Sequence, residues 1–227
     1  MINKDNNNML RNEKKLISFE SVESIEKLFT FMGCKEIFNL RKINTLYFDT
    51  HFHKNFFEAE DGIAWRNKIR IRWYGEIFST TIKPKIENKI KYNSHNFKIT
   101  KELESFKTKE FFNLLKFKKY IEKEKKTKNE INFFLNNLYP NLFVSYVRKY
   151  FIFKNVRITL DTDLKFMNLG KINFFSKKNL LNINKKNIIE LKFDNKYYLE
   201  ASEITNIFNH RLNKFSKYQV GFSETFY

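Results

Sequence analysis

Hydrophobic and polar residues alternate with period two along several stretches of the chain, the pattern of strands with one covered face. Trp65 to Tyr74 places Arg66, Lys68, Arg70 and Arg72 on one face and Ile69, Ile71 and Trp73 on the other. Ile43 to Thr50 sets Tyr47 and Asp49 against Leu46 and Phe48, and Ile86 to Lys91 groups Glu87, Lys89 and Lys91. Val144 to Phe153 sets Tyr146, Arg148 and Tyr150 against Val147, Phe151 and Phe153. Val156 to Asp163 opposes Arg157, Thr159 and Asp161 to Ile158 and Leu160; Ile188 to Asp194 opposes Glu190, Lys192 and Asp194 to Ile189, Leu191 and Phe193. Helical spacing is rarer. Ile25, Leu28, Phe29 and Met32 follow a Ser21 N-cap. Leu103, Phe106, Leu114 and Leu115 predict a second helix. Ile131, Phe134, Leu135 and Leu138 predict a third, ended by Pro140, and Ile204, Ile207 and Phe208 a fourth. The class is α+β, built on an antiparallel sheet.

The polar faces are unusually cationic. Four cations on one strand, Arg66, Lys68, Arg70 and Arg72, repel one another unless something anionic lies between them. Closing the sheet would resolve this. A closed antiparallel β-barrel with flanking α-helices turns its apolar faces outward and its charges into a wet, basic lumen that takes a polyanion. Arginine suits such a lumen because its planar fork grips phosphate oxygens in pairs. Five carboxylates interrupt the cations: Glu13, Glu87, Asp161, Asp163 and Glu190. They either pair with neighbouring Lys and Arg or hold Mn²⁺ or Mg²⁺, hard cations that bridge carboxylate and phosphate.

Composition changes this picture only in part. The 227 residues fit a single domain, 1–227, in which residues 1–10 read as a flexible tail. Hydrophobic residues make up 42%, with 27 Phe and 11 Tyr, which argues for a packed core despite the abundance of Lys and Asn. A formal charge of +18 favours polyanionic partners, although a genome rich in A and T enriches Lys, Asn, Ile and Phe by itself. No apolar run is long enough to span a membrane, and the polar start lacks a secretory core. A single cysteine, Cys34, rules out an intrachain disulfide and suits a reducing cytoplasm; it follows an amphipathic helix and reads as packed. Lys118 to Glu130 is charge-dense and reads as a solvated helix end or loop. His51 and His53 read as surface imidazoles at a loop tip rather than a metal pair; His95 precedes Lys98, and His210 lies near a helix end.

The order of motifs resembles the VTC-domain polyphosphate polymerases of the wider triphosphate tunnel group. The matching segments are RNEKKLIS, NTLYFDT, RNKIRIRWYG, IENKIK followed by Lys98, SYVRKYF, RITLDTDLKF, IIELKF and KFSKYQVGF, from Arg11 to Phe222. The resemblance implies a tunnel that binds ATP and a growing inorganic polyphosphate chain, with no need of nucleic acid. Carried over by motif, Arg70, Arg72, Lys89 and Lys217 would act in catalysis. Lys15, Lys98, Tyr146, Arg148, Arg157 and Ser216 would contact phosphates. Glu190 falls at the family's metal-binding glutamate, with Glu13 and Glu87 as helpers, while Lys68, Lys91, Lys192 and Lys214 would set the potential.

Phosphoryl transfer needs positioning and charge neutralisation more than a side-chain nucleophile. The want of a Ser/His/Asp or Cys/His constellation is therefore no objection. Attack by a polyphosphate end makes a polymerase; attack by water makes a triphosphatase acting on inorganic triphosphate, nucleotide or an RNA 5′ end. A third reading is a non-catalytic binder of polyphosphate or nucleic acid, held by salt-sensitive charge. Coupling synthesis to translocation would require a separate membrane partner.

Overall fold

The computed structural model describes residues 11–93, 95–108, 114–127, 135, 137–170, 179–182, 186–208 and 214–226. Among the described residues nine strands carry the architecture: β1 (Arg11–Ser18), β2 (Lys35–Asp49), β3 (Trp65–Tyr74), β4 (Lys85–Tyr92), β5 (His95–Glu102), β6 (Tyr139–Phe153), β7 (Val156–Asn168), β8 (Leu181–Asn182) and β9 (Asn187–Asp194). Five helices are described: α1 (Val22–Phe31), α2 (Lys54–Glu60), α3 (Leu114–Thr127), α4 (Tyr198–Ile207) and α5 (Lys217–Phe226). Hydrogen-bonded neighbours run in the order β1-β9-β7-β6-β2-β3-β4-β5, with β8 against β7. Among the described residues β1 and β5 do not pair. The ladder is thus an open path, and the closed barrel expected from the sequence is not formed.

The chain makes two compact units. The first comprises Met1–Leu40, Val147–Asp163 and Asn184–Phe215; the second comprises Arg41–Tyr146, Leu164–Ile183 and Ser216–Tyr227. Each has its own core. In the first unit Leu16 from β1, Ile158 and Leu160 from β7, and Ile189, Leu191 and Phe193 from β9 pack with Ile25 and Phe29 of α1 and Ala201 and Ile204 of α4. In the second unit Leu46, Phe48, Ile69, Ile71, Trp73 and Ile86 pack with Phe117 and Ile121 of α3. Apart from Leu16 of β1, the strand positions are the apolar faces read from the alternation. Burying each large side chain is worth about 1.5–3 kcal/mol, which fixes which face of each strand turns inward.

Helix α1 begins as expected: the Ser21 side chain accepts a hydrogen bond from the Ser24 N–H, satisfying one of the first turn's orphan donors. Helix α4 also falls where its spacing placed it. The second predicted helix is corrected. Leu103 and Phe106 are buried in an irregular segment, while Leu114 and Leu115 fall in α3. In α3 the inward positions are Phe117, Ile121 and Glu124, spaced by four and three. The irregular segment is pinned to Thr81, which accepts from the Phe106 N–H at 2.9 Å and donates to its carbonyl at 3.2 Å. Two buried side chains at helical spacing thus owe their burial to a loop. The third predicted helix lies mostly outside the described residues, as do the tail 1–10, residues 128–130 of the charge run, and His210. Five elements went unread: the strands β1, β8 and the largely exposed edge strand β5, and the helices α2 and α5.

Helix α5 is seated through Gly221. A Cβ there would lie 2.0 Å from Phe166 and 2.9 Å from Leu142. Gly221→Ala is expected to cost about 1–3 kcal/mol through overpacking, read as a lower urea midpoint at unchanged slope. An unchanged midpoint would show that α5 is not held against β6 and β7.

Candidate functional site

In the second unit, antiparallel registration of β3, β4 and β5 turns the alternating cations into cross-strand rows. Lys68 stands opposite Lys89, and Lys89 opposite Lys98. The next row along is Arg70, Glu87 and Thr100. Glu87 is buried and receives three of these cations. Its Oε2 lies 2.7 Å from Arg70 Nε and 3.8 Å from an Arg72 nitrogen, and its Oε1 lies 2.5 Å from Lys98 Nζ. Burial pushes its carboxyl upward, but Arg70, Arg72 and Lys98 overcome this and hold it at about 2. The offsetting anion sought in a closed lumen is therefore, in part, a glutamate of the neighbouring strand.

One carboxylate does not saturate this face. Among the described residues, Arg72 Nε is buried with no hydrogen-bond partner. The three-lysine row places like charges directly opposite one another, which destabilises a sheet unless an anion joins them. Lys68 itself donates to Ser216 Oγ at 2.8 Å and to Gln219 Oε1 at 3.0 Å. Ser216 and Lys217 open α5, and Lys217 Nζ sits 4.6 Å from the centre of the Tyr146 ring. Arg70 also faces Tyr47, whose hydroxyl lies 3.3 Å from Arg70 Nη1. Burial would raise the Tyr47 phenol, yet Arg70, Arg72 and Lys217 draw it below its ordinary value. The unit thus brings together Arg70, Arg72 and Lys98 around Glu87, Lys89 in the lysine row, and Lys217 over Tyr146. Ser216 is engaged by Lys68.

The first unit carries a second carboxylate among cations. Glu190 of β9 stands opposite Lys15 of β1 on one side and Thr159 of β7 on the other. Its Oε1 is 2.8 Å from Lys192 Nζ and its Oε2 is 3.9 Å from Arg148. Burial again raises the carboxyl, and Lys192, Lys15 and Arg148 together hold it at about 2. Arg148 turns its fork mainly onto Asp161, fully buried, with bonds of 2.5 and 2.7 Å. Lys15 pairs with Glu13 at 2.6 Å and reaches the Phe215 carbonyl at 3.2 Å, while Arg157, exposed, faces Lys192 in register.

Among the described residues no three His, Cys, Asp or Glu side chains group into a metal cage. A hard divalent cation would instead use Glu190 as its carboxylate and complete its shell with water and phosphate oxygens, the habit of Mg²⁺. Glu190 fits that role because it stays ionised. Thr159 Oγ1, buried without a hydrogen-bond partner opposite it, is a further oxygen at the same place.

One reading of the histidines changes. His53 is half-buried, adopts a left-handed backbone (φ 54°) before α2, and packs its ring on Phe222 at 4.6 Å. His51 remains exposed, against Tyr139 at 3.8 Å. Sequence reasoning missed Tyr47, Asp49 and Tyr218 as functional candidates. Only the alternation of Tyr47 with Phe48 hinted at a polar role for the first.

Because Glu87 titrates near 2 when folded and near 4.5 when unfolded, its stabilisation is full above the unfolded value and is lost as pH falls toward 2. Glu190 acts in the same direction. Thermal stability should therefore fall steeply between about pH 5 and 2, each carboxylate contributing on the order of a few kcal/mol. Glu87→Gln, which leaves the buried arginines without their anion, should cost about 3–5 kcal/mol at pH 7. That deficit should shrink on acidification; a pH-independent deficit would assign Glu87 a packing role alone.

The sequence model of the VTC domain matches residues 9–226. No curated protein sequence gives a significant match. Among solved structures, HpAC1 from Hippeastrum, provisionally assigned as an adenylyl cyclase and described by a dominant triphosphatase activity, superposes with a TM-score of 0.54. Its identity is 14%, over 94% of this chain and 97% of that one. The PH1819 protein from Pyrococcus horikoshii OT3 gives 0.51 at 14% identity, covering 94% and 99%. A protein of Bacillus halodurans provisionally assigned as an adenylate cyclase gives 0.52 at 12%, covering 90% and 92%. These likenesses show a shared fold, and with the domain match spanning nearly the whole sequence, the chain belongs to the VTC-domain family.

Proposed function

We propose that this protein is a metal-dependent polyphosphate polymerase, transferring the γ-phosphate of ATP to the end of an inorganic polyphosphate chain. The observation that carries the reading is the cationic face of β3 to β5. Its row of like-charged lysines and the buried Arg72 Nε, without a hydrogen-bond partner among the described residues, favour a multivalent anion. A terminal phosphate oxygen of the chain attacks the γ-phosphorus. The bond from that phosphorus to the β,γ-bridging oxygen breaks, and ADP leaves. In the second unit Arg70, Arg72, Lys89, Lys98 and Lys217 neutralise and orient phosphates, with Tyr146 and Ser216 beside them. In the first unit Lys15, Arg148 and Arg157 are proposed phosphate contacts, and Glu190 is the proposed holder of Mn²⁺ or Mg²⁺. That cation, when bound, would supply Lewis-acid stabilisation of phosphoryl oxygens.

Hydrolysis is the second reading, favoured by the triphosphatase activity ascribed to HpAC1. Among the described residues no helix is long and apolar enough to cross a membrane. Reaction in the cytoplasm remains part of the proposal.

Incubation with ATP and Mn²⁺, with products resolved on a gel, separates the readings. The expected result is a ladder of long chains with matching ADP, absent in Glu190→Ala, whose affinity for polyphosphate is retained or increased because a repulsive charge is gone. Orthophosphate without chains would establish the triphosphatase instead. Arg72→Ala should lose binding and turnover together; an enzyme indifferent to it would place this face outside the chemistry.

A further inference from the structure

A buried polar column in the second unit lies behind the cations without being one of them. Asp49, at the end of β2, is fully buried. Its Oδ1 accepts from the N–H groups of Thr50 at 2.7 Å and Asn55 at 2.9 Å, and its Oδ2 accepts from that of Phe56 at 3.0 Å. These bonds satisfy much of the carboxylate and tie down the start of α2. The remaining bond reaches across the sequence: the Tyr218 hydroxyl donates to Oδ2. Tyr218 is itself 2% exposed and accepts from Asn141 Nδ2 at 2.8 Å.

Tyr218 is the second residue of α5, directly after Lys217. Fixing its ring fixes the helical turn from which Lys217 and Ser216 project. Its other face stacks on Tyr47 at 5.1 Å, and Tyr47 meets Arg70 through its hydroxyl. Two cations of the candidate site thus rest, directly or through Tyr47, on one phenol held by one buried carboxylate. Buried hydrogen-bonded chains of this kind restrict side chains to single orientations, and a displacement near 1 Å at a charge-stabilising site can cost about 100-fold.

We propose that Asp49 and Tyr218 form a positioning pair that sets Lys217 at the start of α5 and, through Tyr47, the Arg70 guanidinium, for engagement of a substrate's phosphates. The proposal rests on the reading of this face as a phosphate-binding surface. Neither member of the pair touches substrate. The cations bind, and the pair determines where they stand.

The test compares Tyr218→Phe, which keeps the ring and removes the hydroxyl, with Phe56→Leu, which disturbs packing 6.2 Å from the Tyr218 ring and keeps the backbone N–H that Phe56 donates to Asp49. Arg72→Ala reports on the phosphate surface itself. The readouts are thermal midpoint and the Kd for inorganic tripolyphosphate by calorimetry in metal-free buffer, so that turnover is not required. Tyr218→Phe is expected to weaken tripolyphosphate binding about tenfold, while Phe56→Leu lowers the midpoint at least as much and leaves Kd within about twofold. Unchanged Kd in Tyr218→Phe, or equal weakening in Phe56→Leu, overturns the pair while Arg72→Ala still weakens binding. If the parent protein does not bind tripolyphosphate, or Arg72→Ala binds it as well, the phosphate reading falls and the pair with it. Should Tyr218→Phe fail to fold, Asn141→Leu withdraws the other bond to the same hydroxyl. About threefold weaker binding then supports the pair, and an unchanged Kd overturns it.

Discussion

Repulsion among the cations of β3 is the constraint around which the second unit is organised. Arg66, Lys68, Arg70 and Arg72 share a face because a strand's side chains alternate, and an apolar opposite face must be buried. The sheet cannot relieve the crowding by turning the strand over without exposing Ile69, Ile71 and Trp73. Glu87 of β4 relieves it locally, lying between Arg70, Arg72 and Lys98 with its carboxyl held near 2. A single negative charge stabilises the fold but leaves the face strongly positive. The same geometry therefore serves stability and makes the cationic surface to which the proposed function assigns phosphate.

The first unit repeats the motif with a different balance. Glu190 is equally buried and ionised, but its surroundings include a second carboxylate, Asp161, which takes most of Arg148's fork. Cations are more nearly matched there, and an unpartnered Thr159 oxygen stands beside the glutamate. Under the proposed function, this chemistry suits a site that shares a divalent cation with its substrate better than one that simply grips phosphate. The two units therefore differ in kind as well as composition.

Much of this was legible in the chain. Period-two alternation placed the faces of β2, β3, β4, β6, β7 and β9, because one-sided burial imposes that spacing on any antiparallel strand. The Ser21 cap and the ridge of α1 were legible for a similarly local reason. Reading failed where local pattern was weak or ambiguous. Strand β5 has little burial to mark it, α2 is short, and the apolar residues of α5 include a glycine chosen for contact with Phe166. Leu103 and Phe106 mimic helical spacing while lying in a loop, since burial alone does not specify dihedral angles. The expected barrel rested on charge and on the resemblance to tunnel proteins. Charge demands a counterion, and Glu87 met part of that demand without closure.

The sequence by itself determined the family, the cationic faces and the carboxylates among them, since motif order and alternation are properties of the chain read locally. Registration decided the rest. Whether Glu87 met Arg70, whether Thr159 met Glu190, and whether three lysines shared a row depended on how strands slid against one another. The bond from Tyr218 to Asp49 spans 169 residues. No local propensity encodes such a contact; it exists because packing of two apolar faces brings the end of β2 and the start of α5 to one buried place, where each polar group must find a partner.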